Sequence, residues 1–279
     1  MEKLILQTND ETVITANIFK PEKDNNKVLL INSATGVKQQ IYFSFAQFFA
    51  SQGFTVITYD YRGIGLSKPQ KMKNFEASMR IWGNQDYKAL TQFIINNFPD
   101  HQKFCIGHSV GALILGMNKD SEIFDEFFFV GTQNAFIGHL KWRTKIEAML
   151  GFGIVQPLFT ELFGYFPAHW FGLGESLPKN CAYDWRILIL NRKSTNKLLL
   201  KMDDFSKDLK QKVFVIQAED DVWLTEKGVK SLLNDTYPNL KPTYRLIKTS
   251  ESEKGEIGHI NFFRSYNKNL WEIIFNEIE

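Results

Sequence analysis

The feature that most constrains this chain is a rhythm. Short apolar runs, rich in β-branched and aromatic residues, alternate with longer amphipathic stretches. The runs at 28–32, 54–59, 103–107, 127–130, 213–217 and 244–247 have the length and composition of strands buried on both faces. Between them, residues 42–51, 79–97, 110–117, 225–233 and 261–278 carry apolar side chains at helical spacing; Trp82, Leu90, Phe93 and Ile94 share one face, for instance. Ahead of the first run, residues 3–8 and 12–19 flank the turn-forming pair Asn9-Asp10 and predict an antiparallel hairpin. The sum is an α/β fold: an eight-stranded, mostly parallel sheet with helices on both faces.

The rhythm fails over residues 136–206, which offer helical pieces but no strand of comparable quality. So long a connection in a compact α/β domain predicts a functional insertion, a helical cap or lid. The core is then made of residues 1–135 and 207–279. Within the insertion, residues 148–174 carry a single formal charge, Glu161, and are long enough for a membrane span. Pro157, Pro167 and the glycines at 151, 153, 164, 172 and 174 are expected to break this stretch into short pieces. A folded-over lid is therefore expected, and no transmembrane span.

Of the 279 residues, 33 are basic and 31 acidic, so no long-range field draws a polyanion. No basic stripe with interleaved aromatics is present, which argues against nucleic acid as a partner. Cys105 and Cys181 lack metal or disulfide-scaffold spacing, and the first residues lack the apolar centre of a secretory leader. The expected location is the cytoplasm. The one compositional excess is phenylalanine, at 25 residues.

Directly after the run at 103–107 comes Gly107-His108-Ser109-Val110-Gly111, followed by a helical stretch. A serine on so tight a strand-to-helix turn is held in a strained backbone conformation, which demands neighbours without bulk two residues away on each side. Gly107 and Gly111 meet that demand. Ser109 would then stand clear of the sheet edge, above a helix N-terminus whose N–H groups point at any anion formed there. That is the setting of a nucleophile.

A serine nucleophile needs a base, and the base needs an orienting carboxylate. Both are available at the ends of later strands. The run at 213–217 leads into Ala218-Glu219-Asp220-Asp221, and Gly258-His259 follows the last strand. Asp221 is preferred as the acid because the turn must reach across toward the histidine before the carboxylate is presented. Asp220 is the second candidate, and Glu219 reads as a solvated charge. Of the five histidines, His259 alone combines a preceding glycine, a position after the last strand and a following helical stretch. His101 lies in a polar turn, His108 points away from the serine, and His139 and His169 fall in the insertion.

Backbone donors for an oxyanion are expected from Val110, directly after the serine, and from the loop Ser33-Ala34-Thr35-Gly36, with Thr35 chosen and Ala34 the alternative. The segment Asp60-Tyr61-Arg62-Gly63-Ile64-Gly65-Leu66-Ser67 lacks the third glycine and immediate helix of a dinucleotide site. It reads as a structural turn, with Asp60 and Arg62 fixing a loop beside the site.

Taken together, GHSVG at 107–111, DYRGIGLS at 60–67, AEDD at 218–221 and GH at 258–259 resemble the α/β-hydrolase superfamily over nearly the whole chain outside the insertion. Tyr42 after the loop at 33–36, Gly-Tyr-Phe-Pro at 164–167, Leu-Pro at 177–178 with Asp184-Trp185, and Gly-His-Ile-Asn-Phe-Phe-Arg at 258–264 are more narrowly similar to a bacterial group of α/β-hydrolases near the serine aminopeptidase and monoacylglycerol-lipase-like branch. The resemblance implies an α/β-hydrolase fold and a serine esterase-type enzyme with a helical cap. The chain departs from it in carrying Ser33 where many members have histidine, and Ala218 where many have glycine.

The expected chemistry is hydrolysis of a carboxylic ester through Ser109, His259 and Asp221, with an acyl-enzyme and with no metal or organic cofactor. Two alternatives use the same fold: acyl transfer to an alcohol or amine, and a non-catalytic binding protein. The insertion holds more aromatics than a unit of its size can bury by itself. Part of them should face the site, with Trp142, Phe159, Phe163 and Trp170 as candidate substrate contacts and an apolar acyl or aryl group as the preferred substrate. An apolar cap surface would also suit a homodimer.

Overall fold

The computed structural model describes residues 1–279. Its main sheet has eight strands: β1 (Glu2–Gln7), β2 (Val13–Phe19), β3 (Lys27–Asn32), β4 (Thr55–Tyr59), β5 (Gln102–His108), β6 (Glu126–Val130), and after the insertion β9 (Lys212–Ala218) and β10 (Lys241–Ile247). Their spatial order is β1-β2-β4-β3-β5-β6-β9-β10. β1 and β2 pair antiparallel, as do β2 and β4, and every later pairing is parallel. All eight predicted strands are present. The central ones are apolar throughout because both faces are covered: Phe127 and Phe129 pack on one side, Phe128 and Val130 on the other.

Two of the predicted helices are shorter than their spacing suggests. After Ser109 only Val110–Leu113 is α-helical, followed by a 3-10 turn at Leu115–Met117. The buried Tyr237 hydroxyl intercepts the carbonyls of Ala112 (2.7 Å) and Leu113 (3.1 Å), which a longer helix would use itself. Residues 261–278 form not one helix but 3-10 turns and a final helix, Glu272–Ile278. Asn267 is the cause. It is fully buried, donates to the carbonyls of Asn261 (2.9 Å) and Glu256 (3.3 Å), accepts from Ser252 Oγ (2.6 Å), and its own backbone is non-helical.

The insertion holds a two-stranded ribbon, β7 (Tyr165–Phe166) with β8 (Leu177–Pro178), and helices that include Lys179–Leu190. The expected fragmentation of residues 148–174 does not occur in its first half: Trp142–Phe163 is a single helix of 22 residues, with a mean hydropathy of 1.3 over its most apolar stretch. Length and composition would let it cross a bilayer. Its breakers are absorbed by a π-helical turn at Gly151–Val155. The wider turn and the bare Gly153 four residues back make room for the Pro157 ring. In that i+5 pattern the Phe152 carbonyl faces Pro157, which has no N–H, and Arg186 Nε supplies the missing donor at 2.8 Å.

Candidate active site

The site gathers where β3, β5, β6, β9 and β10 end. Ser109 follows β5 with φ 53° and ψ −116°, a conformation costly for any residue with a side chain. The neighbouring glycines let the turn close. A Cβ on Gly107 would come within 2.5 Å of Ala112 Cα, and one on Gly111 would collide with the Asn32 carbonyl of β3. The strained turn is pinned on its far side too, because Ser109 N–H donates to the Val130 carbonyl (3.0 Å) and Thr132 Oγ1 donates to the Ser109 carbonyl (2.8 Å).

His259 enters from the loop after β10. Its Nε2 lies 3.0 Å from Ser109 Oγ, and its Nδ1 lies 2.7 Å from Asp221 Oδ2. Asp221 is buried, and its other oxygen accepts the Trp223 N–H at 2.9 Å. A carboxylate can only accept here, so Nδ1 carries the proton and Nε2 presents its lone pair to the serine hydroxyl. Asp220 has a different task. Its two oxygens accept the N–H groups of Ile257 and Gly258, each at 2.9 Å, and so hold the loop that delivers His259. Glu219 lies outside, accepting from Thr249 N–H and Oγ1 at 2.6 Å.

Behind this array stands a support with no counterpart in the sequence reading. Ala34 N–H donates to Tyr42 Oη (3.0 Å), which lies 2.7 Å from His108 Nδ1, and His108 Nε2 lies 2.8 Å from the His259 carbonyl. A carbonyl cannot donate, so Nε2 is the protonated nitrogen and Tyr42 donates to Nδ1. Burial holds the His108 imidazole far below its ordinary value, at about 3, and the nearby His259 pushes in the same direction. His108 therefore works as a neutral ring. The histidine inside the serine motif and the first tyrosine after the loop at 33–36 were the available signals.

The same chain of bonds separates the two candidate oxyanion donors. Ala34 N–H is already spent on Tyr42. Thr35 N–H and Val110 N–H are committed to no acceptor in the protein, and both residues line the same cavity as Ser109. The 60–67 segment braces this loop: Asp60 accepts from Gln39 N–H (2.8 Å), Gln39 Nε2 (2.8 Å) and Leu66 N–H (2.9 Å). Arg62 points elsewhere, to Asp86 and to Asp10 in the β1–β2 turn. Ser67 is buried against Thr15 N–H and the Asp60 carbonyl and does not line the cavity.

The cavity above Ser109 and His259 has a volume of about 830 Å³. Leu113, Trp185, Leu188, Ile189, Trp223 and Leu224 make much of its apolar wall, and Lys38, Lys68 and Glu175 stand together at another part of it. Glu175 ties the insertion to the loop carrying Thr35. Its N–H donates to the Gly36 carbonyl (2.8 Å), and its carboxylate accepts Gly65 N–H (2.7 Å) and pairs with Lys68 (2.9 Å).

None of the four aromatics expected to contact substrate lies on this wall. Trp142 is 68% exposed on the outer side of the long helix. Phe159, Phe163 and Trp170 pack on one another, with Trp170 edge-on to Phe159 (6.0 Å) and to Phe163 (5.2 Å). Their spacing places them together but away from the site, and the insertion's contribution to the wall comes instead from His169, residues 172–176, Trp185, Leu188 and Ile189.

Residues 23–117 match the sequence family of the serine aminopeptidases, S33, over the part of the chain that includes the loop at 33–36 and the GHSVG turn. No curated protein sequence is significantly similar to the chain. Among solved structures, a highly thermostable carboxyl esterase from Bacillus coagulans superposes with a TM-score of 0.67 at 15% identity, covering 99% of this chain and 97% of that one. An esterase from Pyrococcus furiosus gives 0.61 at 13% identity, covering 99% and 89%. An alpha-beta serine hydrolase homologue from Coxiella burnetii gives 0.56 at 11% identity, covering 100% and 97%. The fold is the α/β-hydrolase fold. Within it, the chain is similar to the serine aminopeptidase branch over the matched segment.

Proposed function

We propose that this protein is a serine hydrolase that cleaves a carboxylic ester bearing an apolar acyl or aryl group. One observation carries the reading: Asp221, His259 and Ser109 are joined by bonds of 2.7 and 3.0 Å, and Ser109 and His259 line a cavity whose other lining residues include Thr35 and Val110, whose N–H groups have no acceptor in the protein. In this scheme His259 Nε2 takes the proton of Ser109 as Oγ adds to the ester carbon, and Asp221 stabilises the imidazolium. The carbonyl oxygen gains its negative charge between the N–H groups of Thr35 and Val110. The imidazolium then protonates the leaving alcohol, giving an acyl-enzyme. Water, deprotonated by the same histidine, releases the acid and restores Ser109.

Residues 136–206 act as a cap in this reading. The Glu175 contacts with Gly36, Gly65 and Lys68 support that role, since they fasten the insertion to the loop carrying Thr35 beside the cavity. The apolar wall of Leu113, Trp185, Leu188 and Ile189 supports an apolar group in the substrate. The test is a fluorophosphonate probe followed by a series of nitrophenyl esters of increasing acyl length. Labelling is expected in the wild type and absent in Ser109→Ala, with kcat/KM rising from acetate toward longer chains. Equal labelling of the two proteins would overturn the mechanism, and a preference for short charged esters would overturn the substrate class.

A further inference from the structure

The cavity above Ser109 is chemically two-sided. Leu113, Trp185, Leu188 and Ile189 make one part of its wall apolar, whereas Lys38, Lys68 and Glu175 bring charge to another. Glu175 is the only acid on the whole wall, and the two lysines are its only permanent cations. Lys68 Nζ lies 2.9 Å from Glu175 Oε1, and Lys38 Nζ lies 3.8 Å from the same oxygen, too far for a hydrogen bond. Neither ammonium pairs with any other carboxylate. Glu175 cannot turn to serve both, because its Oε2 accepts Gly65 N–H at 2.7 Å and its own backbone N–H donates to the Gly36 carbonyl at 2.8 Å. An ammonium carries three donors, so most of the donors in this pair have only water to meet. The lysine side chains are 51% and 36% exposed, against 18% for Glu175, which leaves the cations open and the acid recessed.

We infer that Lys38 and Lys68 form a subsite for an anionic group on the alcohol part of the substrate. The inference rests on the proposed ester hydrolysis and narrows it: the ester joins an apolar carboxylic acid to an alcohol that bears a carboxylate or a phosphate. The apolar wall takes the acid part, since an anion there would lose its water and gain no partner. The alcohol is then left to the charged part, where ammonium groups make short, charge-assisted bonds to carboxylate or phosphate oxygens. The Glu175–Gly36 bond sets the lysines beside the loop carrying Thr35, so one molecule can reach both parts while its ester lies at Ser109. A volume of about 830 Å³ is ample for such a molecule.

Two other features of this corner leave the lysines free for that role. Asp60 is close enough to Glu175 for the two charges to repel, and it balances the sum of charge here. It offers the lysines no acceptor, because it is fully buried, spent on Gln39 N–H, Gln39 Nε2 and Leu66 N–H, and absent from the wall. The Lys68–Glu175 pair also ties the insertion to the core, which gives Lys68 a structural use. Lys38 has none of that kind, since its ammonium bonds to nothing in the protein.

The experiment compares three octanoates with the full chain: 2-nitrophenyl octanoate, 4-nitro-3-(octanoyloxy)benzoate, which adds a carboxylate to the same leaving group, and the counterpart with a phosphate in that position. At low salt at least one anion should raise kcat/KM about tenfold over the neutral ester, and the better of the two names the group. The preference should shrink as salt is added. Lys38→Gln should bring the ratio of anionic to neutral rates close to one, and Lys38→Glu should reverse it. A merely structural role for Lys38 would lower all three rates together and leave the ratio as it was. Equal rates for the three esters, or a ratio that survives both Lys38→Gln and Lys68→Gln, overturns the subsite. A preference for mono-4-nitrophenyl suberate over 4-nitrophenyl octanoate overturns its assignment to the alcohol. Failure of the esterase reading looks different: none of the esters is cleaved and Ser109 takes no fluorophosphonate label, and the subsite then falls with it.

Discussion

Tyr42 Oη lies 2.7 Å from His108 Nδ1, and the direction of that bond is fixed by the bond at the other side of the ring, where His108 Nε2 lies 2.8 Å from the His259 carbonyl. Burial lifts the Tyr42 phenol well above its ordinary range, so the hydroxyl keeps its proton and can donate. One unbroken series of donors therefore runs from Ala34, next to Thr35, to the backbone of His259. The loop carrying Thr35 and the loop carrying His259 are held by the same two side chains.

Tyr42→Phe breaks this series at its centre. Two buried polar groups, Ala34 N–H and His108 Nδ1, lose their partner, and each orphaned group is worth about 1–3 kcal/mol of stability. Denaturant unfolding should show a loss in that range. Ester hydrolysis should lose about tenfold in kcat with KM near that of the wild type, since the displaced Thr35 donor matters most when the oxyanion has formed. An unchanged unfolding midpoint would show that Tyr42 supports nothing.

His108 gives stability a dependence on pH whose sign follows from its environment. The ordinary value is 6.5 and the folded one is about 3, lowered by burial first and by His259 second. Between those values the unfolded chain binds a proton at this ring and the folded chain does not. The contribution is therefore complete above pH 6.5 and lost as the pH falls toward 3, at up to about 1.4 kcal/mol per pH unit. Unfolding free energies measured at neutral pH and about two units lower check this, with His108→Asn as the comparison. The variant should show the shallower dependence, and equal slopes would contradict the assignment.

The two adjacent aspartates should separate cleanly on mutation. Asp221→Asn removes the carboxylate that fixes the His259 tautomer and stabilises the imidazolium, and kcat should fall by about 10³–10⁴ with little change in fold. Asp220→Asn weakens the grip on Ile257 N–H and Gly258 N–H. It should lower stability by about 1–3 kcal/mol while kcat falls less than about tenfold. Steady-state rates and thermal unfolding of the pair decide it, and a larger rate loss for Asp220→Asn would exchange the two roles.

The difference between these neighbours shows what a linear sequence can carry. The strands were legible because a parallel sheet buries both faces, and runs such as 127–130 have no other stable destination. Ser109, Asp221 and His259 were legible because each follows a strand that the fold obliges to end at the same edge. Asp220 was not, because its partners are backbone N–H groups 37 and 38 residues away and a backbone leaves no mark on composition. The long helix was hidden by Gly151, Gly153 and Pro157, which read as breaks until a π-turn and Arg186 accommodate them. Asn267 was hidden in the opposite sense: nothing in its spacing shows that a buried amide will stop a helix.

The last prediction concerns the wall of the cavity, where residue type misled most. Trp142 and Trp185 look alike in sequence, both on helices of the insertion. Trp142 stands in solvent, whereas Trp185 separates the cavity from Phe152. Trp185→Ala should cost about 3 kcal/mol or more of stability through the lost packing, yet the space it opens adjoins the cavity and is available to substrate. The variant's preference among nitrophenyl esters should shift toward longer or bulkier acyl groups, with kcat/KM for the shortest ester reduced because that group no longer fills its site. Trp142→Ala should leave the whole ester profile unchanged. If instead Trp142→Ala moves the profile and Trp185→Ala does not, the group that decides specificity enters from outside the cavity described here, and the cap would have to open to admit it.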